Sequence, residues 1–148
     1  MFSHMLIPTD GSDLALRASH EAIQLARSLK SRITAVLVSP TFNRLADEGY
    51  VLPELEFDRA GWEKGVNGRA RKVLEAVAAE AEKCGVSCDT LHLFRDEPHA
   101  AIIDAAKDHG CDLIVMGSHG WGGFKQLVLG SETTRVLSQS TIPVLVYR

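Results

Sequence analysis

Short apolar runs alternate with segments of helical periodicity along this chain. Each apolar run has the length of a strand, whereas the segments between them carry the repeating apolar positions of amphipathic helices. Strands that alternate with helices in this way form a parallel sheet that is covered by helices on both faces. The predicted strands are 5–8, 33–38, 87–94, 112–116 and 143–147.

Four helices are predicted in the intervals between these strands. The first begins after Ser12, a favourable N-cap residue, and the third begins at Pro98, because a helix tolerates proline in its first turn. The second carries an apolar stripe over 70–81 and ends near Gly85, and the fourth begins at Ser131. Each predicted strand is therefore linked to the next by a helix.

The polarity of two predicted strands indicates their places in the sheet. Residues 33–38 are almost entirely apolar, as a central strand is, whereas 87–94 alternates polar and apolar side chains, as an edge strand does. With right-handed crossovers, the prediction is an open five-stranded parallel sheet of the doubly wound α/β class, with strand order 3-2-1-4-5. A single domain over residues 1–148 accounts for the pattern, and a ligand is expected beyond the carboxyl ends of strands one and four.

The interval from 39 to about 61 shows no clean period and contains five acidic residues. Pro40, Gly49 and Pro53 interrupt it further. A connection of this length in a compact domain is usually a lid, an interaction loop or a disordered segment, and the sequence leaves these alternatives open.

Composition argues against several classes of partner. The net charge of −3 offers no basic surface for nucleic acid or for an anionic membrane. No apolar run approaches the ~20 residues of a membrane span. The three cysteines, Cys84, Cys88 and Cys111, form no disulfide or metal-binding pattern, so buried thiols in a reducing cytoplasm are expected.

A glycine-rich segment follows the fourth predicted strand. Gly117, Gly120, Gly130 and Ser131 have the spacing G-x2-G-x9-G-[ST]. Glycine lets backbone N–H groups approach an anion without a Cβ in the way. Ser131 stands where a helix begins, so free N–H groups and the positive end of the helix dipole face the same anion. The segment therefore predicts a phosphate-binding turn.

Other phosphate-binding patterns are absent from the sequence. No G-K-[ST] occurs, which excludes a Walker A loop, and no G-x-G-x-x-G follows the first strand, which excludes the dinucleotide fingerprint. A flavodoxin carries its phosphate loop after strand one, and a receiver domain needs paired acids there, where only Asp10 stands. The candidate site therefore lies after strand four and faces Asp10.

Two segments at opposite ends of the chain resemble the universal stress protein family. Residues 7–12 read Ile-Pro-Thr-Asp-Gly-Ser, similar to that family's I-P-x-D-G-S, and 116–131 is similar to its glycine motif. The resemblance covers essentially the full chain. It implies binding of ATP, because the G-x2-G-x9-G-[ST] motif marks the ATP-binding members of that family. The sequence does not separate ATP from AMP or ADP, and it leaves a role for Mg²⁺ open.

The resemblance also implies roles for single residues. Asp10 would lie by the adenine or the ribose, Val38 would meet the adenine, and Met116 and Gly117 would border the ribose and the first phosphate. Trp121 departs from the family, which often has a basic or small residue there. The implied nucleotide-binding residues are Pro8, Thr9, Asp10, Val38, Met116, Gly117, Ser118, His119, Gly120, Gly130, Ser131 and Glu132.

The leading hypothesis is a cytoplasmic ATP-binding stress or signalling module, and the alternative is a slow ATP or nucleotide hydrolase on the same fold. The sequence positions no general base, nucleophile or arginine clamp near the turn, so no catalytic residue is assigned. The last strand, from Pro143 to Arg148, is apolar, and its edge is a liability unless something covers it. Members of the family commonly pair this strand, so a homodimer is expected.

Overall fold

The computed structural model of the chain describes residues 1–49, 59–119 and 129–148. Gly120 and Trp121 lie outside the described residues, and so do residues 50–58 of the long connection. Within the part that is described, no helix is long and apolar enough to cross a membrane.

The described strands form one sheet whose architecture agrees with the prediction. They are β1 (His4–Pro8), β2 (Arg32–Ser39), β3 (Cys88–Phe94), β4 (Leu113–Gly117) and β5 (Val144–Tyr147). All pairs are parallel and the order is β3-β2-β1-β4-β5, which confirms the predicted strand order. β1 is central, with Ile7 opposite Ala35 of β2 and Leu6 opposite Ile114 of β4. The half-polar strand β3 is an edge, as its alternation predicts.

Five described helices connect the strands, one more than predicted. They are α1 (Asp13–Leu29), α2 (Phe42–Asp47), α3 (Arg59–Lys83), α4 (Pro98–Asp108) and α5 (Ser131–Gln139). Ser12 caps α1 as predicted, because its Oγ accepts a hydrogen bond from the Ala15 N–H at 3.3 Å. Pro98 stands in the first turn of α4, also as predicted.

The connection between β2 and β3 contains more helix than the sequence pattern indicates. α2 is too short to show a period, and the Thr41 side chain caps its first turn. α3 begins at Arg59, well ahead of its apolar stripe. Trp62 explains this early start, because its ring packs against Phe42 at 5.4 Å and Phe94 at 6.0 Å between centroids. These tertiary contacts override the low helix propensity of the glycines in the first turns of α3.

Two hydrophobic cores cover the two faces of the sheet. Met5 and Ile7 of β1 belong to the core beneath α1 and α3, whereas Leu6 belongs to the core beneath α4 and α5. All three side chains are fully buried. A strand that is buried on both faces has a continuous apolar sequence, which is why β1, β2 and β4 were predictable.

Candidate functional site

A cavity of about 420 Å³ opens at the carboxyl ends of β1 and β4. β1 is followed by α1 on one face of the sheet, and β4 is followed along the chain by α5 on the other face. The cavity therefore lies at the switch point of the doubly wound sheet, the place where this class of fold binds its ligands.

Most of the predicted nucleotide-binding residues line this cavity. They are Pro8, Thr9, Asp10, Val38, Met116, Gly117, His119, Gly130, Ser131 and Glu132. Ser118 lies behind the wall instead: it is buried, and its N–H donates to the Tyr147 carbonyl oxygen at 2.8 Å. Gly120 lies outside the described residues. The structure thus brings together the end of β1, the end of β2 and the two flanks of the glycine segment.

Five further residues of the lining were not indicated by the motifs. They are Ala15, Val36, Pro98, Ile102 and Thr133. Val36 could have been found from the sequence, because side chains two positions apart on a strand share a face and Val38 was already assigned. Ile102 could not, because only the packing of α4 over the sheet brings it to the cavity. With Val38, these two side chains make one part of the wall apolar.

Gly130 joins the start of α5 tightly to the turn that follows β4. Its N–H donates to the Ser118 carbonyl oxygen at 2.7 Å, so this amide is already used by the protein. A Cβ built on Gly130 would lie 3.0 Å from His119 Cα and 3.2 Å from the Ser118 oxygen. The backbone conformation of Gly130 is an ordinary one, with φ of −58°. Glycine is therefore needed here because the protein's own backbone approaches closely.

The residues of the first turn of α5 line the cavity. The first hydrogen bond of the helix runs from the Thr134 N–H to the Gly130 carbonyl oxygen. The amides of Ser131, Glu132 and Thr133 precede it and have no acceptor within the helix. The Thr133 hydroxyl donates to the Gly117 carbonyl oxygen at 3.1 Å, which fixes this turn against the end of β4. Such a fixed helix terminus suits an anion.

The Glu132 carboxylate connects the first turns of α4 and α5. Its Oε2 accepts a hydrogen bond from the His99 N–H at 2.8 Å and lies 3.0 Å from the His99 Nδ1. Its Oε1 accepts from Arg135 at 3.1 Å. His99 is buried, so this side of the cavity is held by a partly sheltered set of polar contacts.

Asp10 stands in a tight turn on the opposite side of the cavity. Its Oδ1 accepts a hydrogen bond from the Ser12 N–H at 2.9 Å, and Thr9 Oγ1 accepts from the Gly11 N–H at 3.3 Å. Gly11 has a φ of +80°, and a Cβ there would lie 2.9 Å from Val73 Cγ2. The turn therefore requires glycine, and it places the exposed Asp10 side chain at the rim.

A second polar connection joins the loops that follow β2 and β3. The Asp96 carboxylate accepts hydrogen bonds from the Thr41 N–H at 2.9 Å and from the Thr41 hydroxyl at 2.8 Å, and these bonds lower the pKa of Asp96. Arg44 donates to the Asp96 carbonyl oxygen at 2.6 Å and to Glu48 at 2.8 Å. The hydrogen bond to Glu48 raises the pKa of Arg44, and the negative charges of Asp96 and Glu132 add a smaller effect in the same direction. Because Thr41 and Asp96 follow the carboxyl ends of β2 and β3, Arg44 lies at the same edge of the sheet as the cavity.

The cavity contains few groups suited to covalent or acid–base chemistry. His119 lines it, and the His119 Nδ1 lies 3.0 Å from the Ser118 Oγ. Across residues 1–49, 59–119 and 129–148, no group of three or more His, Cys, Asp and Glu side chains is arranged to hold a metal ion. The arrangement can hold an apolar ring system at one end and an anion at the other.

The chain is a doubly wound α/β domain with a helix terminus at its switch point, the crevice in which this class of fold holds its ligands. Within that class, the chain belongs to the universal stress protein family, whose family model matches residues 1–148. It is 35% identical to the universal stress protein YxiE of Bacillus subtilis over 152 residues, with full coverage of both chains. It is 36% identical to a universal stress protein of Thermus aquaticus over 149 residues, again with full coverage of both.

Solved structures show the same likeness. A universal stress protein family member from Burkholderia pseudomallei has a TM-score of 0.77 at 26% identity, over 99% of this chain and 96% of the other. Two more distant structures share the fold at 21% identity. One is a universal stress protein in complex with cAMP, with a TM-score of 0.68 over 99% of this chain and 97% of the other. The other is the Archaeoglobus fulgidus protein in complex with dAMP, with a TM-score of 0.67 over 100% and 98%.

Proposed function

We propose that the cavity binds an adenine nucleotide and that the chain works as a nucleotide-dependent stress or signalling module in the cytoplasm. One observation carries this proposal: a single cavity is lined both by apolar side chains and by the first-turn residues of α5, whose amides have no acceptor within the helix. The apolar side chains suit an adenine ring, and the helix amides suit a phosphate chain. ATP is the proposed ligand, with AMP and ADP as members of the same class.

The dimensions of the cavity support a ligand of this size. Its volume of about 420 Å³ lies within the ~300–1,000 Å³ that is usual for small-molecule sites. Val38 and Ile102 would contact the adenine, and Asp10 would accept hydrogen bonds from ribose hydroxyls. Ser131 would meet the phosphates through its backbone amide. Mg²⁺ would enter together with ATP, held by the phosphate oxygens. The cAMP and dAMP complexes share this fold with the chain, and the proposal rests on the chain's own cavity.

Hydrolysis is a weaker candidate for the same site. The observation in its favour is that His119 and Asp10 both line the cavity, where either could orient a water molecule. His119 already has the Ser118 hydroxyl within hydrogen-bond distance, and Asp10 accepts the Ser12 amide. We therefore propose binding as the function and, at most, slow ATPase activity beside it.

Substitution of Val38 by tryptophan is expected to lower ATP affinity by at least about tenfold, because the larger ring fills the space proposed for adenine. Isothermal titration of the purified protein with ATP and Mg²⁺ measures this effect. Before the titration, a separate sample of the protein is denatured and its supernatant is chromatographed, because any adenine nucleotide that was bound during purification appears there. Leu16→Trp is the matched control, because Leu16 is exposed on α1 and lies outside the cavity lining. Equal ATP affinities in the two variants would contradict the proposed position of the adenine beside Val38.

We further propose that two copies of the chain associate through β5. This strand is an edge of the sheet, and its Leu145 is 43% exposed. Pairing of two such edges would satisfy the outward backbone groups and cover the apolar side chains. Sedimentation is expected to give about twice the chain mass of 16.1 kDa. Leu145→Lys should give a monomer, whereas Leu29→Lys, at a comparably exposed leucine on α1, should not. A monomeric parent protein at micromolar concentration would contradict the proposal.

A further inference from the structure

Glu132 places a fixed carboxylate beside the amides of the first turn of α5. The residue lines the cavity, and its oxygens are held by the His99 N–H, by the His99 ring and by Arg135. The carboxylate cannot leave this position without giving up these hydrogen bonds. Any phosphate that approaches the α5 amides therefore approaches this negative charge as well.

The charge of Glu132 is balanced by Arg135, which lies outside the described lining of the cavity and donates to the Glu132 Oε1 at 3.1 Å. Asp10 and Glu132 contribute carboxylates, and none of the described lining residues is lysine or arginine. Arg135 is engaged by Glu132 itself, and Arg44 is engaged by Glu48 and by the Asp96 carbonyl oxygen. Among the described lining residues, only backbone amides attract the phosphate, while the Glu132 carboxylate repels it.

Given the proposed nucleotide site, on which this step rests, we propose that Glu132 is a specificity-determining residue that selects nucleotides by the charge of their phosphate chain. Repulsion from a fixed carboxylate increases with the charge of the ligand. Metal-free ATP carries about twice the negative charge of AMP or of the Mg²⁺ complex of ATP, so this repulsion lowers its affinity the most. The site accordingly favours AMP and Mg²⁺–ATP over free ATP.

The test is calorimetric titration of the parent protein and of Glu132→Gln with three probes: AMP, ATP with Mg²⁺, and ATP with EDTA. Glutamine keeps the shape and an acceptor oxygen for the His99 N–H, but it removes the charge and turns an NH2 group toward Arg135, which loses this acceptor. Affinity for metal-free ATP is expected to rise about tenfold in the variant, and affinity for AMP and Mg²⁺–ATP about threefold, since the repulsion scales with ligand charge. The difference in affinity between the parent protein and Glu132→Gln should become smaller at high ionic strength, because salt screens the repulsion.

Glu97→Gln is the matched control, because Glu97 is exposed next to α4, makes no capping hydrogen bond with its side chain and lies outside the cavity lining. Its three affinities are expected to change by less than about twofold, as for an exposed charge. An equal change for all three probes in Glu132→Gln would mean that Glu132 only shapes the cavity, and it would overturn the inference. Unchanged affinities would overturn it too, while leaving the proposed function intact. If neither protein binds any of the probes, the proposed function fails together with the inference.

Discussion

Replacement of Gly130 by valine is expected to lower nucleotide affinity by at least about 100-fold, which corresponds to a loss of about 2.7 kcal/mol. The new Cβ would lie 3.0 Å from His119 Cα and 3.2 Å from the Ser118 carbonyl oxygen. These two backbone atoms cannot move aside as the end of a long side chain can. The start of α5 must therefore shift away from β4, and the amides that are proposed to hold the phosphates shift with it. Calorimetric titration with ATP and Mg²⁺ measures the loss.

Gly65→Ala provides the control for this glycine substitution. Gly65 lies within α3, and a Cβ there would meet no atom within 4 Å. Alanine at this position is expected to leave affinity unchanged and to stabilise the protein by about 0.5–1 kcal/mol, because glycine in a helix interior costs conformational entropy. Circular dichroism of Gly130→Val shows whether the sheet is still folded. A folded Gly130→Val with affinity within about threefold of the parent protein would contradict the proposed role of the α5 terminus.

Replacement of Ile114 by alanine is expected to lower the free energy of unfolding by about 3–4 kcal/mol and the melting temperature by about 10 °C. Ile114 is fully buried in the core beneath α4 and α5, on a strand that pairs with both β1 and β5. The loss combines the apolar area returned to water with the cavity that rigid neighbours leave behind. Urea unfolding monitored by circular dichroism measures the change in free energy.

Leu137→Ala is the corresponding surface control. Leu137 lies on α5 with 41% of its surface exposed, and its truncation is expected to cost less than about 1 kcal/mol. Similar losses in the two variants would mean that Ile114 does not lie in a rigid core. Because Ile114 lies outside the cavity lining, the folded fraction of Ile114→Ala is expected to bind nucleotide as the parent protein does.

The helices were less predictable than the strands. β1 is recognisable because Met5, Leu6 and Ile7 are all buried, so that no polar residue interrupts the run. The start of α3 has no such signal, since glycines and charged residues fill its first turns. Its helical state depends on Trp62, whose ring packs on side chains from α2 and β3.

The cavity lining was predictable in the parts that belong to local motifs. Asp10 and Gly117 follow strands in the sequence, and parallel strands bring their carboxyl ends to one edge. Ile102 and Pro98 were not predictable as cavity residues, because helix packing and not sequence order brings α4 over the cavity. The hydrogen bond between His99 and Glu132 was missed for the same reason, as the two residues lie 33 positions apart.

The sequence by itself determined the parallel sheet, its strand order and the edge at which a ligand would lie, because burial on both faces and helical periodicity are local signals. Only the tertiary structure decided how the cavity is made. It showed that Gly130 is needed for the approach of the His119 backbone, and that the Glu132 carboxylate is fixed between α4 and α5. Both features depend on distances between segments that are far apart in the chain, and no local pattern encodes such distances.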